Sequence, residues 1–312
     1  MLTNHTMIHR RVRQLNPNIE VRSAMISDAQ HFTSLMNKQY SLRQKSEEYF
    51  YWQFIKTNRK TNLFVAYESE TYVGCYGVQI HPLSNGVSCG FAVDLLVDDK
   101  YRNRGLFVLL EDEVCKYAFA EGSVAVTVLT NKLGKKAHTA LGWQHIGTIN
   151  TVLLSKYPEN TVQIDLELGE PKLMVYFPKD KSYRHWRYDQ NPQYKYDYLS
   201  LASGELAITK IFTDPVTHQR FGDIVDFDAD LNNPEIMKNL FLKAIGHLQD
   251  QGVTEITTWA LAHTPLRKVL GSLGFTEMAQ ERYFCVKVLD PEYTYLYDFA
   301  NWQLVQADAE IY

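Results

Sequence analysis

The stretch that decides the fold is residues 91–107, FAVDLLVDDKYRNRGLF. Residues 91–97 are too few for a helix and are rich in Phe, Val and Leu, which is typical of a buried strand. From Leu106 onward, apolar residues recur at helical spacing with acidic residues between them. The pattern therefore predicts a strand, a turn and a helix, in that order.

The predicted turn is basic and contains a glycine: it reads Tyr101-Arg102-Asn103-Arg104-Gly105. The first N–H groups of a helix lack partners inside the helix and carry partial positive charge. Glycine lets the backbone approach an anion closely, and the two arginines add attraction. The turn is predicted to seat a phosphate, and the alternative is a basic turn that binds nothing.

The same turn resembles the acyl-CoA loop of the GNAT superfamily of N-acyltransferases. That loop has Arg or Gln, two residues, Gly, one residue, and then Gly or Ala. The residues that fit are Arg102, Asn103, Arg104, Gly105 and Leu106, whereas Phe107 stands where a small residue is usual. The resemblance implies that acetyl-CoA or another acyl-CoA is the co-substrate and that no metal takes part.

Length and composition are those of an ordinary globular protein. The chain has 312 residues, of which 45% are hydrophobic and 22% charged, so two domains are expected. A net charge of -4 gives no broad positive field for nucleic acid, and no apolar run approaches the length of a membrane span. Residues 1–18 are predicted to be a flexible tail and not a secretory signal, so a cytoplasmic location is expected. Cys75, Cys89, Cys115 and Cys285 show no metal-binding spacing.

A second signature follows the predicted helix. Residues 124–129 are predicted to be a buried strand parallel to the first, and residues 135–141 a short helix that stops at Gly142. Residues 137–143, AHTALGW, resemble the second GNAT signature. In many members of that family a tyrosine five positions before the final aromatic protonates the leaving thiolate of CoA; here that position is His138.

The chain also contains an internal repeat. Tyr51-Trp52-Gln53-Phe54 resembles His185-Trp186-Arg187-Tyr188, and each half has a strand with a central aspartate, Asp94 or Asp226. The distance from Asp94 to Trp143 is 143 − 94 = 49, and the distance from Asp226 to Phe275 is 275 − 226 = 49. A tandem duplication is therefore predicted. The fold class expected from it is α/β (α+β), with two GNAT folds that each have a mixed central sheet flanked by helices.

The second half lacks the basic turn. It has Asp230-Leu231-Asn232-Asn233-Pro234-Glu235 at the equivalent place, without glycine and with acidic residues instead of basic ones. Acidic groups at a helix start repel a pyrophosphate. The second half is therefore predicted to be a scaffold that cannot seat CoA, although it could wall the acceptor pocket.

Amine acylation needs a proton acceptor, a polarised thioester and a stabilised thiolate. By resemblance, Asp94 draws the amine proton; the alternative is that it satisfies backbone N–H groups, which the presence of Asp226 in the other half favours. His138 could protonate the thiolate, and the alternative is an exposed helix histidine. Backbone N–H groups of Leu95, Leu96 and Val97 are the family's usual means of polarising the thioester.

Asn131 resembles the family position that reaches the pantetheine arm, and it could equally cap the next helix. The domain organisation expected is a flexible tail at 1–18, a catalytic GNAT domain at 19–155 and a degenerate GNAT domain at 156–312. The function expected is transfer of an acyl group, most simply acetyl, from acyl-CoA to a primary amine of a small molecule. The alternatives are a CoA sensor without turnover and an aminoacyl-transferase of the cell-wall peptide type. No nucleic-acid or membrane partner is expected, and the chain is expected to be a monomer or homodimer.

Overall fold

A computed structural model gives the fold, and it describes residues 2–40, 44–156 and 174–309. In chain order the elements are α1 (Leu2–Leu15), β1 (Ile19–Ser23), α2 (Ala29–Gln39), α3 (Glu47–Phe50), β2 (Thr61–Glu68), β3 (Thr71–Pro82), β4 (Ser88–Val97), α4 (Leu106–Ala120), β5 (Ser123–Thr130), α5 (Lys132–Ala140), β6 (Gln144–Leu154), α6 (Lys181–Arg184), β7 (Tyr196–Ser200), β8 (Leu206–Thr213), β9 (Arg220–Asp228), α7 (Pro234–Asp250), β10 (Glu255–Trp259), α8 (Pro265–Ser272) and β11 (Thr276–Val288). The predicted strand, turn and helix at 91–107 are the end of β4, the loop after it and the start of α4.

Unit 1 is built from three separate segments of the chain, Met1–Ile146, Pro178–Gln193 and Phe284–Tyr297. Its strands lie in the order β1, β2, β3, β4, β5, and the end of β11 lies beside β5. The pairs from β1 to β4 are antiparallel, whereas β4 and β5 are parallel. A parallel pair needs a crossover connection, and α4 provides it.

The core of unit 1 lies between α4 and the sheet. Apolar side chains at helical spacing on α4 meet alternating apolar side chains from β2, β3 and β5. Buried members of this cluster include Leu106, Leu109, Leu110, Val114, Ala118, Phe64, Tyr76, Val78 and Val126. This packing fixes the start of α4 against the end of β4.

Unit 2 contains Gly147–Phe177, Tyr194–Tyr283 and Asp298–Tyr312. Its strands lie in the order β6, β10, β9, β8, β7, with β9 and β10 parallel. Helix α7 connects β9 to β10, as α4 connects β4 to β5, and its buried face includes Leu240, Phe241, Ala244 and Leu248. The two units therefore have the same order of elements through the parallel strand pair, as the predicted duplication requires.

The repeat extends to an unusual local structure. The short helix α3 continues into a π-helical turn, Tyr51–Ile55, and α6 continues into a π-helical turn, His185–Asp189. Each short helix begins with a side-chain cap: Ser46 accepts from the N–H of Tyr49, and Asp180 accepts from the N–H of Tyr183. The repeated aromatic segment is thus a short α-helix followed by a π-helical turn in each half of the chain.

Two expectations about domain organisation need correction. Residues 2–15, expected in a flexible tail, form α1, because Val12 is buried in the core cluster of unit 1 and anchors the helix. A single boundary between residues 155 and 156 also differs from the division found, because segments of the second half belong to unit 1. Residues 157–173, just after that boundary, lie outside the described residues.

Candidate functional site

Strands β4 and β5 separate part-way along their length. Their pairing ends at Phe91 and Thr127, although β4 continues to Val97 and β5 to Thr130. On its other edge β4 stays paired with β3, with a shift of register where Cys75 pairs with Leu96 and Gly77 with Val93. Asp94 and Leu95 therefore form a β-bulge, a feature common beside active sites because it redirects a side chain. This opening contains Leu95, Leu96 and Val97, the residues whose backbone N–H groups are expected by resemblance to polarise a thioester.

Asp94 is held in a strained conformation at the bulge. Its φ is +50°, in the left-handed region that a residue with a side chain rarely adopts. Such strain costs on the order of 1 kcal/mol and persists only where the surroundings enforce it. Asp226 does not share the positive φ, so the two halves differ at this aspartate.

The Asp94 carboxylate has two partners from the segment that leads into α3. Its Oδ1 lies 2.7 Å from the Nζ of Lys45, and the hydroxyl of Tyr49 donates to its Oδ2 at 3.3 Å. The same Lys45 ammonium stands over the Tyr49 ring, 3.6 Å from the ring centroid. The Asp94 side chain is 2% exposed and that of Lys45 14%. The carboxylate thus lies at the opening and pairs with a lysine and a tyrosine side chain, and its role as the proton acceptor stays a prediction.

Neither Lys45 nor Tyr49 is among the site residues predicted from the sequence. A signal for both was present, because Lys45, Tyr49 and Trp52 have the same spacing as Lys179, Tyr183 and Trp186 in the second half. The differences are 179 − 45 = 134, 183 − 49 = 134 and 186 − 52 = 134. The repeat therefore begins at Lys45 and Lys179, six residues before the Tyr51 and His185 at which the predicted repeat starts.

The start of α4 has the geometry of an anion seat. Gly105 occupies the N-cap position with φ +81°, and Asn103 has φ +63°. In the part of the chain that the structure describes, no acceptor bonds the backbone N–H groups of residues 103–107. Successive N–H groups in such turns form a concave site for anions, and the helix start adds partial positive charge.

The equivalent helix start in unit 2 is closed. The side chain of Asn233 caps α7 by accepting from the N–H of Ile236 at 3.1 Å, and Pro234 has no N–H to offer. The N–H of Asn232 is bonded to the carboxylate of Asp230. This supports the prediction that the second half cannot seat a pyrophosphate.

The two arginines of the loop are engaged in contacts within the protein. Arg104 donates to the carboxylate of Glu68 at 2.6 Å, and its guanidinium also lies over the ring of Tyr101. Arg102 pairs with Asp99 at 2.7 Å and donates to the side chain of Gln39. Both are exposed, and they fix the loop while leaving the backbone N–H groups of residues 103–107 as the anion donors.

Helix α1 also supports the loop. The amide of Asn16 donates to the carbonyl of Arg104 at 2.9 Å, and its Oδ1 accepts from the Arg104 Nε at 3.2 Å. A Cβ on Gly105 would lie 2.8 Å from a methyl of Val12. Glycine is therefore required at position 105 both by its φ and by this close approach. The hydrogen bond from Asn16 to Arg104 could not be predicted from the sequence, because it joins positions 88 residues apart.

His138 lies in an aromatic cluster, which is a correction to both predictions made for it. It is fully buried, its Nδ1–H donates to the carbonyl of Gly134 at 2.7 Å, and the hydroxyl of Tyr76 donates to its Nε2 at 2.7 Å. Burial lowers the pKa of His138 to about 4. A neutral, enclosed imidazole with both nitrogens bonded is neither an exposed helix residue nor placed to protonate a thiolate.

Phe107 belongs to the same cluster, with its ring 4.8 Å from that of His138 and 5.9 Å from that of Tyr76. Trp143 completes the cluster, 4.9 Å from His138. Phe107 stands where the loop pattern has a small residue. Its large side chain packs from α4 against α5 and β3.

Asn131 caps α5, because its side chain accepts from the N–H of Gly134 at 2.9 Å. This is the second of the two uses predicted for it, and a contact with a pantetheine arm stays a prediction. Among the described residues no group of His, Cys, Asp and Glu side chains could hold a metal ion. None of the described helices combines the length and the apolar character that crossing a bilayer requires.

Comparison with known proteins was made by sequence and by structure. Residues 29–143 match the sequence model of the acetyltransferase (GNAT) family. This range contains the bulge at Asp94, the loop before α4 and the aromatic cluster. No curated protein matches the chain.

Solved structures are similar over most of the chain. A tandem GNAT protein from the clavulanic acid biosynthesis pathway is 13% identical, with a TM-score of 0.55, and the match covers 88% of this chain and 99% of that one. A GCN5-related N-acetyltransferase from Anabaena variabilis is 11% identical, with a TM-score of 0.62 and coverages of 87% and 73%. N-myristoyltransferase from Saccharomyces cerevisiae with bound myristoyl-CoA is 10% identical, with a TM-score of 0.57 and coverages of 86% and 78%. At these identities the likeness shows the fold, and the predicted tandem GNAT fold is confirmed.

Proposed function

Residues 29–143 form an acetyltransferase domain of the GNAT family, and from this premise we propose that the chain is an N-acyltransferase. The acyl group, most simply acetyl, passes from acyl-CoA to a primary amine of a small molecule. The observation that carries the proposal is the open start of α4, where the N–H groups of residues 103–107 have no acceptor among the described residues. A diphosphate supplies the negative charge that this helix start favours.

The contrast between the two helix starts supports assignment of the donor site to unit 1. Gly105 has no side chain to cap α4, whereas Asn233 caps α7. A CoA diphosphate therefore finds unbonded N–H groups in unit 1 and bonded ones in unit 2. The bound myristoyl-CoA of the similar yeast enzyme supports an acyl-CoA donor without indicating the acyl length here.

The proposed reaction takes place at the opening between β4 and β5. Asp94 accepts the proton of the acceptor ammonium, and the freed amine nitrogen attacks the thioester carbon. Backbone N–H groups of Leu95 to Val97, beyond the last residue paired with β5, stabilise the oxyanion. The new C–N bond forms, the C–S bond then breaks, and the nitrogen loses its second proton to water to give the neutral amide.

The departing thiolate takes its proton from solvent in this proposal. His138 is enclosed and has a pKa of about 4, so at neutral pH it carries no proton that it could give to the thiolate. Asp94 returns the amine proton to water after the acyl group has moved. No side chain acid is required, because a thiolate is a good leaving group near neutral pH.

Isothermal titration with acetyl-CoA tests the donor site. The best variant is Asn103→Asp, because Asn103 is exposed, has φ +63°, and aspartate tolerates that conformation. The added charge at the helix start should weaken binding by roughly tenfold. A matched control is Asn232→Asp in front of α7, where the same change should leave binding unaltered. Equal affinities of wild type and Asn103→Asp would refute the donor site.

A sensor that binds CoA without turnover is the second candidate, and the observation that favours it is that Asp94, the proposed proton acceptor, is already paired with Lys45 at 2.7 Å. Release of free thiol from acetyl-CoA, measured over a panel of primary amines, separates the two functions. An enzyme releases thiol with at least one amine, and Asp94→Asn should then reduce the rate about a hundredfold or more. If CoA binds but none of the amines in the panel causes release of thiol, the result favours the sensor.

The cellular setting is also part of the proposal. Acyl-CoA is a metabolite of the cytoplasm, so we propose a cytoplasmic location. The acceptor is a small-molecule amine, with neither nucleic acid nor membrane as a partner, and the assembly is a monomer or homodimer. Size-exclusion chromatography with light scattering distinguishes these two assemblies.

A further inference from the structure

The ammonium of Lys45 occupies a place built for an amine. One side of it meets the Asp94 carboxylate at 2.7 Å, and the other meets the Tyr49 ring at 3.6 Å from the centroid. A carboxylate and an aromatic face are the two groups that proteins use to bind alkylammonium ions. Together they form what we call the ammonium subsite, consisting of Asp94 and Tyr49.

The ammonium subsite lies on the face of the sheet opposite α4. Tyr76 contacts Phe107 of α4. A Cβ on the next residue, Gly77, would lie 2.8 Å from Phe54 of the π-helical turn after α3. Since successive strand residues point to opposite faces, α3 and α4 cover opposite faces of the sheet. An amine bound through α3 and a donor bound through α4 would therefore reach the bulge at Asp94 from its two sides.

Access to the subsite is blocked by Lys45 itself. Asp94 and Tyr49 are almost completely buried, whereas the lysine side chain that occupies the subsite is 14% exposed. The backbone of Lys45 is held by Asn37, which accepts from its N–H at 2.6 Å and donates to its carbonyl at 2.9 Å. Clearing the subsite therefore requires movement of the side chain and not of the backbone.

We propose that Lys45 is an internal substitute for the acceptor, that it blocks the ammonium subsite, and that a primary alkylamine replaces it there. This inference rests on the proposed function for its chemistry, whereas binding of the amine does not depend on CoA. Once Lys45 withdraws, the entering ammonium takes the same contacts and gives its proton to Asp94. Lys45 is neither acylated nor consumed.

The geometry also defines the acceptor class. The side chain of Lys45, which occupies the subsite, ends in a butylammonium group. This group donates an N–H to Asp94, and its charged nitrogen lies over the Tyr49 ring. A quaternary ammonium has no N–H for the carboxylate, and an alcohol has no charge for the ring. A primary amine on an unbranched alkyl chain satisfies both requirements.

Thermal unfolding of Lys45→Ala tests binding. Adding n-butylammonium chloride should raise the melting temperature by about 2 °C or more over an equal concentration of sodium chloride, because the amine binds the folded state. Wild type and Lys38→Ala should show no such rise; Lys38 pairs with Asp98 at 2.7 Å on the surface and is a matched control. n-Butanol, which fills the space without charge, should have no effect.

A double variant tests whether Asp94 is the partner. Lys45→Ala with Asp94→Asn should lose the response to n-butylammonium, and a retained response would overturn the proposal. Equal shifts in the melting temperature of Lys45→Ala with n-butylammonium and with n-butanol would also overturn the proposal. Should Lys45→Ala not fold alone, it is refolded with each additive: recovery with n-butylammonium only supports the proposal, and recovery with neither overturns it.

Thiol release from acetyl-CoA with n-butylamine completes the experiment. Lys45→Ala should react at least about tenfold faster than wild type at low amine concentration, because no internal ammonium competes. A melting shift without CoA binding would leave the subsite intact and remove the proposed function. CoA binding without the melting shift would leave the donor site intact and remove the subsite.

Discussion

The two halves of this duplicated chain differ in the single residue that stands at the start of their long helices, α4 and α7. Gly105 leaves the first N–H groups of α4 unbonded, whereas Asn233 bonds one of those of α7. An Asn cap stabilises a helix by about 1 kcal/mol relative to a residue without a capping side chain. Helix α4 of unit 1 lacks that stabilisation, and an anion bound at its start would provide it instead.

The lowered pKa of His138 predicts that the folded protein loses stability in acid. Burial lowers its pKa in the folded protein to about 4, from 6.5 for a free histidine. The unfolded chain therefore binds the extra proton first, and stability is lost as the pH falls from about 6.5 towards 4. Between pH 7 and pH 4.5 this one residue should remove about 2–3 kcal/mol of unfolding free energy.

Denaturant unfolding at the two pH values measures this loss. His138→Gln cannot take up the proton, so the difference between wild type and variant isolates the histidine from other acid effects. Wild type should lose more stability than the variant by about 2–3 kcal/mol. Parallel losses in the two proteins would show that His138 is not held neutral in the fold.

Among the elements, α1 is the one whose role is least expected from the fold. It supports the anion seat through Asn16 and Val12 without facing an anion itself. Asn16→Ala should weaken acetyl-CoA binding about fivefold, because one hydrogen bond to the Arg104 carbonyl and one from its guanidinium are lost. If the donor site is catalytic, KM for acetyl-CoA should rise and kcat should stay unchanged.

His9→Ala is the matched control for that prediction. His9 contacts Asp112 of α4 at 3.2 Å, so its loss removes a contact between the same two helices without touching the loop. Acetyl-CoA should bind this variant as it binds wild type. A similar weakening in both variants would mean that α1 acts by general stabilisation of α4 and not through the loop.

The elements also show which parts of the site could be predicted from sequence. Strand β4, the loop and α4 were predictable because their hydrophobic period and their turn residues agree. The bulge at Asp94 and its positive φ were not, because they depend on the register with β3. The contacts of Asn16 and Lys45 were not either, since each joins segments far apart in the chain. His138 was placed on the right helix, but its burial depends on Tyr76 and Trp143 around it.

At the scale of the whole molecule, unit 1 cannot be completed by the first half of the chain. Trp52 stacks on Trp186 with ring centroids 4.9 Å apart, and each indole donates to the backbone carbonyl of the other. Glu111, which is fully buried, accepts from Lys287 at 2.6 Å. Removing one partner of such a buried pair typically costs about 3–5 kcal/mol.

Residues 1–155 produced alone should therefore fail to give a cooperative unfolding transition, although the family match lies within them. Production of residues 174–312 in the same cells should restore a folded complex that elutes as one species. Circular dichroism and size-exclusion chromatography check both outcomes. A cooperatively folded 1–155 fragment would contradict the division of the chain into these units.

Because residues 284–297 belong to unit 1, this unit remains incomplete while the ribosome synthesises the segment before them. At about 5–20 residues per second, the first half of the chain waits many seconds for the strand that covers it. During that interval Glu111 and the edge of β5 lack their final neighbours, and apolar surface stays open to wrong associations. Unit 1 is thus completed only after residues 284–297 have been synthesised, so a product truncated before them contains all the residues that match the family model and lacks the segment that completes the unit.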